Sequence, residues 1–186
     1  MEIMILGLLL WSLVHLTPSL APSVKQRCLG ALGENGYKSL FSILLIIALC
    51  LIVYGWRHSS PSYLYAAAAI ATPVSWLLMA IAMVLFIAAR TPSRIKQFIR
   101  HPQLTSVVLW AISHLLVNGD SRSMVLFAGL GGWAIIEMLA INRRDGPWSK
   151  PPVPGWSVEL IVLCIGLALF AIVAVVHPYI AGVAIL

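Results

Sequence analysis

The sequence predicts an all-α protein, a polytopic transmembrane bundle of about six helical spans that occupies residues 1–186 as one domain. Two observations carry this prediction. The composition is 61% hydrophobic and only 10% charged, whereas a soluble domain needs about 25% charged residues to cover its surface. Apolar runs of roughly 20 residues, the length that crosses a hydrocarbon core, also recur along the whole chain. They leave no stretch for a separate soluble domain.

The spans follow from these runs and from the turn residues between them. A proline inside the third span, Pro73, predicts a kink. The fourth span is short, about 24 Å against a core of about 30 Å, but Pro102 suits its first position. The turn 118–121 then predicts a tight hairpin into the fifth span, capped by Asp120. The predicted spans are 3–21, 39–56, 64–89, 102–117, 123–141 and 157–184.

The charges in the loops test the predicted number of spans. Ten of the twelve Lys and Arg residues fall in alternate loops, and only Arg57 and Arg122 fall on the other side. This asymmetry predicts that both termini face away from the cytoplasm. Because topology accounts for the basic residues, we expect a lipid bilayer as the surrounding partner and no nucleic acid.

Two of the five histidines, His15 and His114, lie well inside predicted spans. His15 is about 10 Å from the inner end of its span, and His114 is about 18 Å above Pro102. Two imidazoles at similar depth on different helices could hold a haem iron from both faces. The alternative is a structural pair that hydrogen-bonds across helices without a metal.

Three further residues could carry chemistry. Arg100 and His101 stand at the start of the fourth span, where free N–H groups favour an anion or a cofactor phosphate; a basic anchor at the membrane surface explains them equally well. Glu137 lies in the fifth span, where a carboxylate needs a partner. An ion pair with Arg143 or Arg144 and a contact to substrate are the two interpretations.

The stretch RHPQLTSVVLWAISHLLVNGD, residues 100–120, resembles the NnrU family of bacterial membrane proteins. The segment Trp11-Ser12-Leu13-Val14-His15 and the pair Gly132-Trp133 fit the same pattern, so that the resemblance covers most of residues 1–145. The family is similar to the plant 15-cis-zeta-carotene isomerase, a membrane enzyme that uses haem b. Carried over by motif, the histidines proposed as its haem ligands match His15 and His114. The isomerase has a cysteine three residues before the second histidine, where this chain has Ala111.

The resemblance implies a protein of the bacterial inner membrane, where the loop charges predict periplasmic termini. It implies haem b as cofactor and a link to denitrification, through nitrite and nitric oxide reduction or isomerase-like redox chemistry. One alternative is a non-catalytic accessory protein that helps to assemble a respiratory or denitrification enzyme. Another is a membrane methyltransferase that uses Arg100, His101 and Glu137, because the Arg-His-Pro start resembles isoprenylcysteine-type enzymes. Substrate, catalytic residues and oligomeric state stay open.

Overall fold

The structure, a computed structural model, describes residues 1–183 and consists of six helices. Five of them are long and apolar enough to cross a membrane, and α4 is shorter. The predicted all-helical class and the membrane-spanning character are therefore confirmed. The helices are α1 (Glu2–Leu20), α2 (Pro22–Arg57), α3 (Ala71–Arg90), α4 (Pro102–Val117), α5 (Ser121–Asp145) and α6 (Trp156–Ala181).

The helices do not pack in chain order. α1 packs along α2, and α5 packs on both α1 and α4. α3 packs on α4 and on α6. The resulting succession is α2, α1, α5, α4, α3, α6, so that α5 separates α1 from α4. This arrangement decides which residues can meet in the interior.

Small residues bring neighbouring helices close together. A Cβ atom added at Gly7 on α1 would lie 2.8 Å from the carbonyl oxygen of Ala48 on α2. One added at Gly166 on α6 would lie 2.6 Å from Cα of Val84 on α3. Within a bilayer there is little hydrophobic drive between helices, and contacts of this kind supply the van der Waals packing that holds them together.

The predicted second span begins too late. The structure continues the helix back to Pro22, which occupies a first-turn position where its missing N–H costs nothing. Gly33 breaks this helix with a φ of 68°, a conformation that glycine reaches without steric cost. Residues 22–32 form a helical segment of their own that is mostly exposed. The charged residues that indicated a loop are therefore helical.

The predicted third span begins too early. The helix starts at Ala71, and the residues before it form an irregular segment. In that segment, the backbone N–H groups of Leu64 and Tyr65 both donate to the carbonyl oxygen of Gly119. The expected kink at Pro73 is also wrong, because this proline falls in the first turn of α3, where it displaces no intrahelical hydrogen bond.

The remaining boundaries agree closely with the prediction. α4 has Pro102 in its first turn. Asp120 caps α5, since its Oδ1 accepts a 2.9 Å hydrogen bond from the backbone N–H of Ser123. α5 contains a π-helical stretch, Met124–Ala128. The predicted end of the sixth span, residue 184, lies outside the described residues.

Candidate functional site

His15 lies in an aromatic cluster between α1, α2 and α5. Its Nδ1 is 3.0 Å from the carbonyl oxygen of Trp11, one helical turn earlier. The ring centroid lies 4.4 Å from that of Trp11, 4.8 Å from Trp133 on α5 and 5.6 Å from Phe41 on α2. We call this group, consisting of His15, Trp11, Phe41 and Trp133, the α1 cluster.

His114 lies in a second aromatic cluster between α4 and α5. Its Nδ1 is 2.8 Å from the carbonyl oxygen of Trp110. Phe127 of α5 stacks on the imidazole, with ring centroids 4.5 Å apart and planes inclined by 26°. Trp110 contacts both rings, at centroid distances of 5.1 Å from His114 and 4.9 Å from Phe127. We call this group, consisting of His114, Trp110 and Phe127, the α4 cluster.

The same local pattern builds both clusters. In each, a tryptophan precedes the histidine by four residues, and residues at this spacing lie on one face of a helix. A carbonyl oxygen can only accept a hydrogen bond, so each Nδ1 carries the proton and donates it. In the neutral form of each histidine, the Nε2 lone pair is then directed away from its own backbone. No hydrogen-bond partner of either Nε2 is present among residues 1–183.

The structure does not bring His15 and His114 together. α5 lies between their helices, with Trp133 against His15 and Phe127 against His114. These two contacts are six residues apart on α5, a distance of about 9 Å along the helix. The similar depth expected from the sequence is therefore not observed. The joint ligation of one cofactor by this pair stays a prediction without a contact to support it.

His177 is the residue that the sequence interpretation missed. It lies on α6, and its ring centroid is 6.4 Å from that of His114, with the planes inclined by 33°. Gly182 ends α6 in the left-handed conformation, φ 74°, and its N–H donates to the carbonyl oxygen of Pro178. This turn places the carbonyl oxygen of Val183 2.7 Å from Nδ1 of His177. The α4 cluster thus has a second imidazole whose Nδ1 is engaged.

Glu137 is buried beside the α1 cluster, with 7% of its surface exposed. Its Oε1 accepts a 2.8 Å hydrogen bond from the hydroxyl of Ser19, while Oε2 is buried without a partner in the described part of the chain. The predicted ion pair with Arg143 or Arg144 is wrong. Arg144 pairs with Asp145 at 2.7 Å and reaches Ser19 rather than the carboxylate.

A model of the NnrU protein family matches residues 3–185. The chain belongs to the NnrU family. The match covers nearly the whole chain, including α6 and His177, and so extends beyond the residues that first carried the resemblance. Comparison with curated proteins and comparison with solved structures each found no match.

In this NnrU-family chain, the two residues predicted to hold an anion both have protein partners. Arg100 donates from Nη1 to the carbonyl oxygen of Gly146 at 2.8 Å. His101 donates from Nε2 to Oδ1 of Asn142, also at 2.8 Å. Both contacts tie the start of α4 to the end of α5. Binding of a cofactor phosphate at this position stays a prediction.

The donor set of the NnrU-family chain fits haem. Among residues 1–183 no group of three or more His, Cys, Asp and Glu side chains is arranged to hold a bare metal ion. Haem iron needs only one or two protein ligands because the porphyrin supplies four nitrogens, and neutral imidazole is a common axial ligand. His114 presents such an imidazole, with Trp110 and Phe127 as aromatic neighbours.

Proposed function

We propose that this NnrU-family protein binds haem b inside the membrane and takes part in redox chemistry linked to nitrite or nitric oxide reduction. The observation that carries the proposal is the state of His114. Its Nδ1–H is donated to the carbonyl oxygen of Trp110, and its Nε2 has no hydrogen-bond partner in the described part of the chain. An imidazole within a membrane span is costly to keep and is usually functional.

The residues around the site would determine what the haem can do. Trp110 fixes the tautomer and the direction of His114, and such a hydrogen bond raises the basicity of a ligating imidazole. Phe127 is nearly buried and stacks on the imidazole from the side of α5. Haem b would supply one-electron transfer when bound. A site with two histidine ligands favours that role, whereas isomerase-like chemistry on a substrate needs one ligand to leave.

The proposed location is the bacterial cytoplasmic membrane with both termini periplasmic. The support is the uneven distribution of the basic residues between alternate loops. In the structure, the loop between α3 and α4 and the loop between α5 and α6 contact each other, since Arg94 donates to Pro154 and Gln97 to Pro151. Two of the three basic loops therefore lie on one side of the bundle.

The test is the absorption spectrum of the detergent-purified protein, oxidised and reduced with dithionite, after expression with ample haem. We expect a Soret band in the wild-type protein and its loss, or a reduction of at least tenfold, in His114→Ala. His58→Ala is the matched control. It removes an exposed histidine whose Nδ1 also bonds a carbonyl one turn earlier, that of Tyr54, and it should keep the band. A wild-type protein without a Soret band, even after reconstitution with haemin, would reject the proposal.

A further inference from the structure

His177 stands where a second axial ligand for a haem on His114 is needed. The two ring centroids are 6.4 Å apart. An iron bound at about 2 Å by two opposite imidazole nitrogens separates the ring centroids by about 6 Å, given the usual length of metal–imidazole bonds. The two side chains are therefore already at the separation that such ligation requires, whereas His15 contacts a different part of α5.

In both histidines, Nε2 is the ring nitrogen that would bind the iron. Nδ1 of His114 is engaged with the carbonyl of Trp110, and Nδ1 of His177 with the carbonyl of Val183. In its neutral form each ring therefore carries the proton on Nδ1, which leaves the lone pair on Nε2, the nitrogen that would bind a metal. Hydrogen bonds of this kind normally hold ligating histidines in position.

The two side chains lie on helices that share α3 as a neighbour. α4 and α6 both pack on α3, but α4 and α6 are not in extensive direct contact within residues 1–183. His114 is three residues before the end of α4, and His177 is four residues before the end of α6. The starts of these helices lie on one side, as the contacts of Arg94 with Glu159 and Pro154 show. The two histidines therefore both lie towards the opposite ends of these helices, where their ring centroids are 6.4 Å apart.

From these observations we infer that His114 and His177, rather than His114 and His15, form the axial ligand pair of this protein. The inference rests on the proposed haem binding and names the partner of His114 within it. It gives α6 a role that the sequence motifs of the first five spans do not indicate. It also makes the C-terminal turn at Gly182 part of the site, because that turn supplies the carbonyl that orients His177.

The experiment compares the wild-type protein with His177→Ala and His15→Ala, each loaded with haem, by absorption and electron paramagnetic resonance spectroscopy. We expect a low-spin, six-coordinate iron in the wild type and in His15→Ala. In His177→Ala we expect conversion to a high-spin iron, with haem still held by His114. Added imidazole should restore the low-spin spectrum of His177→Ala, which shows that the variant is folded and lacks only the ligand.

The outcomes separate the inference from the function on which it rests. A low-spin spectrum that persists in His177→Ala, or that is lost in His15→Ala alone, overturns the inference while haem binding stands. A wild-type protein that takes up no haem overturns both. A third outcome also contradicts the inference: the wild type is low-spin, but haem-loaded His177→Ala stays high-spin after imidazole is added. If His177 is the ligand, the vacated position should accept free imidazole.

Discussion

The α1 cluster and the α4 cluster begin from the same local arrangement and differ in what the neighbouring helices add. Both contain a tryptophan and a histidine one turn apart, with Nδ1 bonded to the tryptophan carbonyl. Around His15 the bundle adds Trp133, Phe41 and, one turn further along α5, the buried carboxylate of Glu137. Around His114 it adds Phe127 and a second imidazole.

The difference shows that a shared sequence pattern does not make two sites equivalent. A histidine can form half of a ligand pair only where another imidazole lies near it, and His177 lies near His114. In and beside the α1 cluster, three buried polar atoms have no partner among residues 1–183, namely Nε1 of Trp11, Nε1 of Trp133 and Oε2 of Glu137. Unpaired polar groups of this kind are costly in an apolar interior, so we expect this region to be sensitive to further loss of hydrogen bonds.

The largest expected effect tests whether the two clusters are independent. Phe127→Ala and Trp133→Ala each remove a nearly buried aromatic ring and should lower the free energy of unfolding by about 3 kcal/mol. Their effects should add within about 0.5 kcal/mol in the double variant, because the rings contact different histidines. Unfolding in mixed detergent with increasing dodecyl sulfate measures this. A coupling well above 1 kcal/mol would show that the clusters form one unit.

A second prediction concerns the buried carboxylate. Ser19→Ala should lower the free energy of unfolding by about 1–3 kcal/mol, because it leaves Oε1 of Glu137 without its donor. Ser12→Ala is the matched control on the same helix. It removes only a hydroxyl bonded to the carbonyl of Leu8, and it should change stability by less than about 0.5 kcal/mol. Equal effects in the two variants would show that the bond to Glu137 does not stabilise the α1 cluster.

A third prediction uses two adjacent glycines of α5 beside the α4 cluster. A Cβ at Gly131 would lie 2.9 Å from Cβ of Ala111 on α4, whereas a Cβ at Gly132 meets nothing within 4 Å. Gly131→Ala should therefore destabilise the protein by about 1 kcal/mol through overpacking. Gly132→Ala should stabilise it by about 0.5–1 kcal/mol, because alanine favours the helix. The same detergent titration gives both values, and a gain in stability on Gly131→Ala would contradict the close packing of α4 on α5.

The smallest expected effect concerns Asp120, which caps α5 next to the α4 cluster. Burial by itself would raise the pKa of Asp120, but hydrogen bonds from Ser123 and the charge of Arg122 outweigh it and lower the pKa. The carboxylate therefore stabilises the fold above its ordinary pKa of about 4. That stabilisation is lost as the pH falls through the folded-state pKa.

Asp120→Asn keeps a capping side chain but cannot titrate. We expect its thermal stability to be slightly below that of the wild type at pH 7 and to converge with it as the pH falls towards 3. Melting curves across this range measure the difference. A difference that stays constant with pH would show that the charge of Asp120 does not contribute to the cap.

The amino-acid pattern alone was sufficient for those features that depend on local physics. Long apolar runs required helices, since only a helix satisfies every backbone polar group of a single span in lipid. Pro102 and Asp120 marked helix starts through their own chemistry. The Trp-x-x-x-His spacing placed each histidine beside its tryptophan. The boundary of α2 was missed because charge indicated a loop where a surface helix forms. The boundary of α3 was missed because residues 64–70, which were placed in the third span, form an irregular segment that contacts Gly119.

The tertiary structure alone decided which side chains meet. Depth along a span can be estimated from residue numbers, but the neighbour of a helix and the face that it presents depend on the order in which the helices pack. Because α5 lies between α1 and α4, His15 and His114 are separated, although the sequence suggested a pair. Because α3 packs on both α4 and α6, His177 lies near His114, although the two residues are more than 60 positions apart in the chain. Such a contact depends on packing surfaces that are distributed over the whole chain. A local sequence pattern therefore does not predict it.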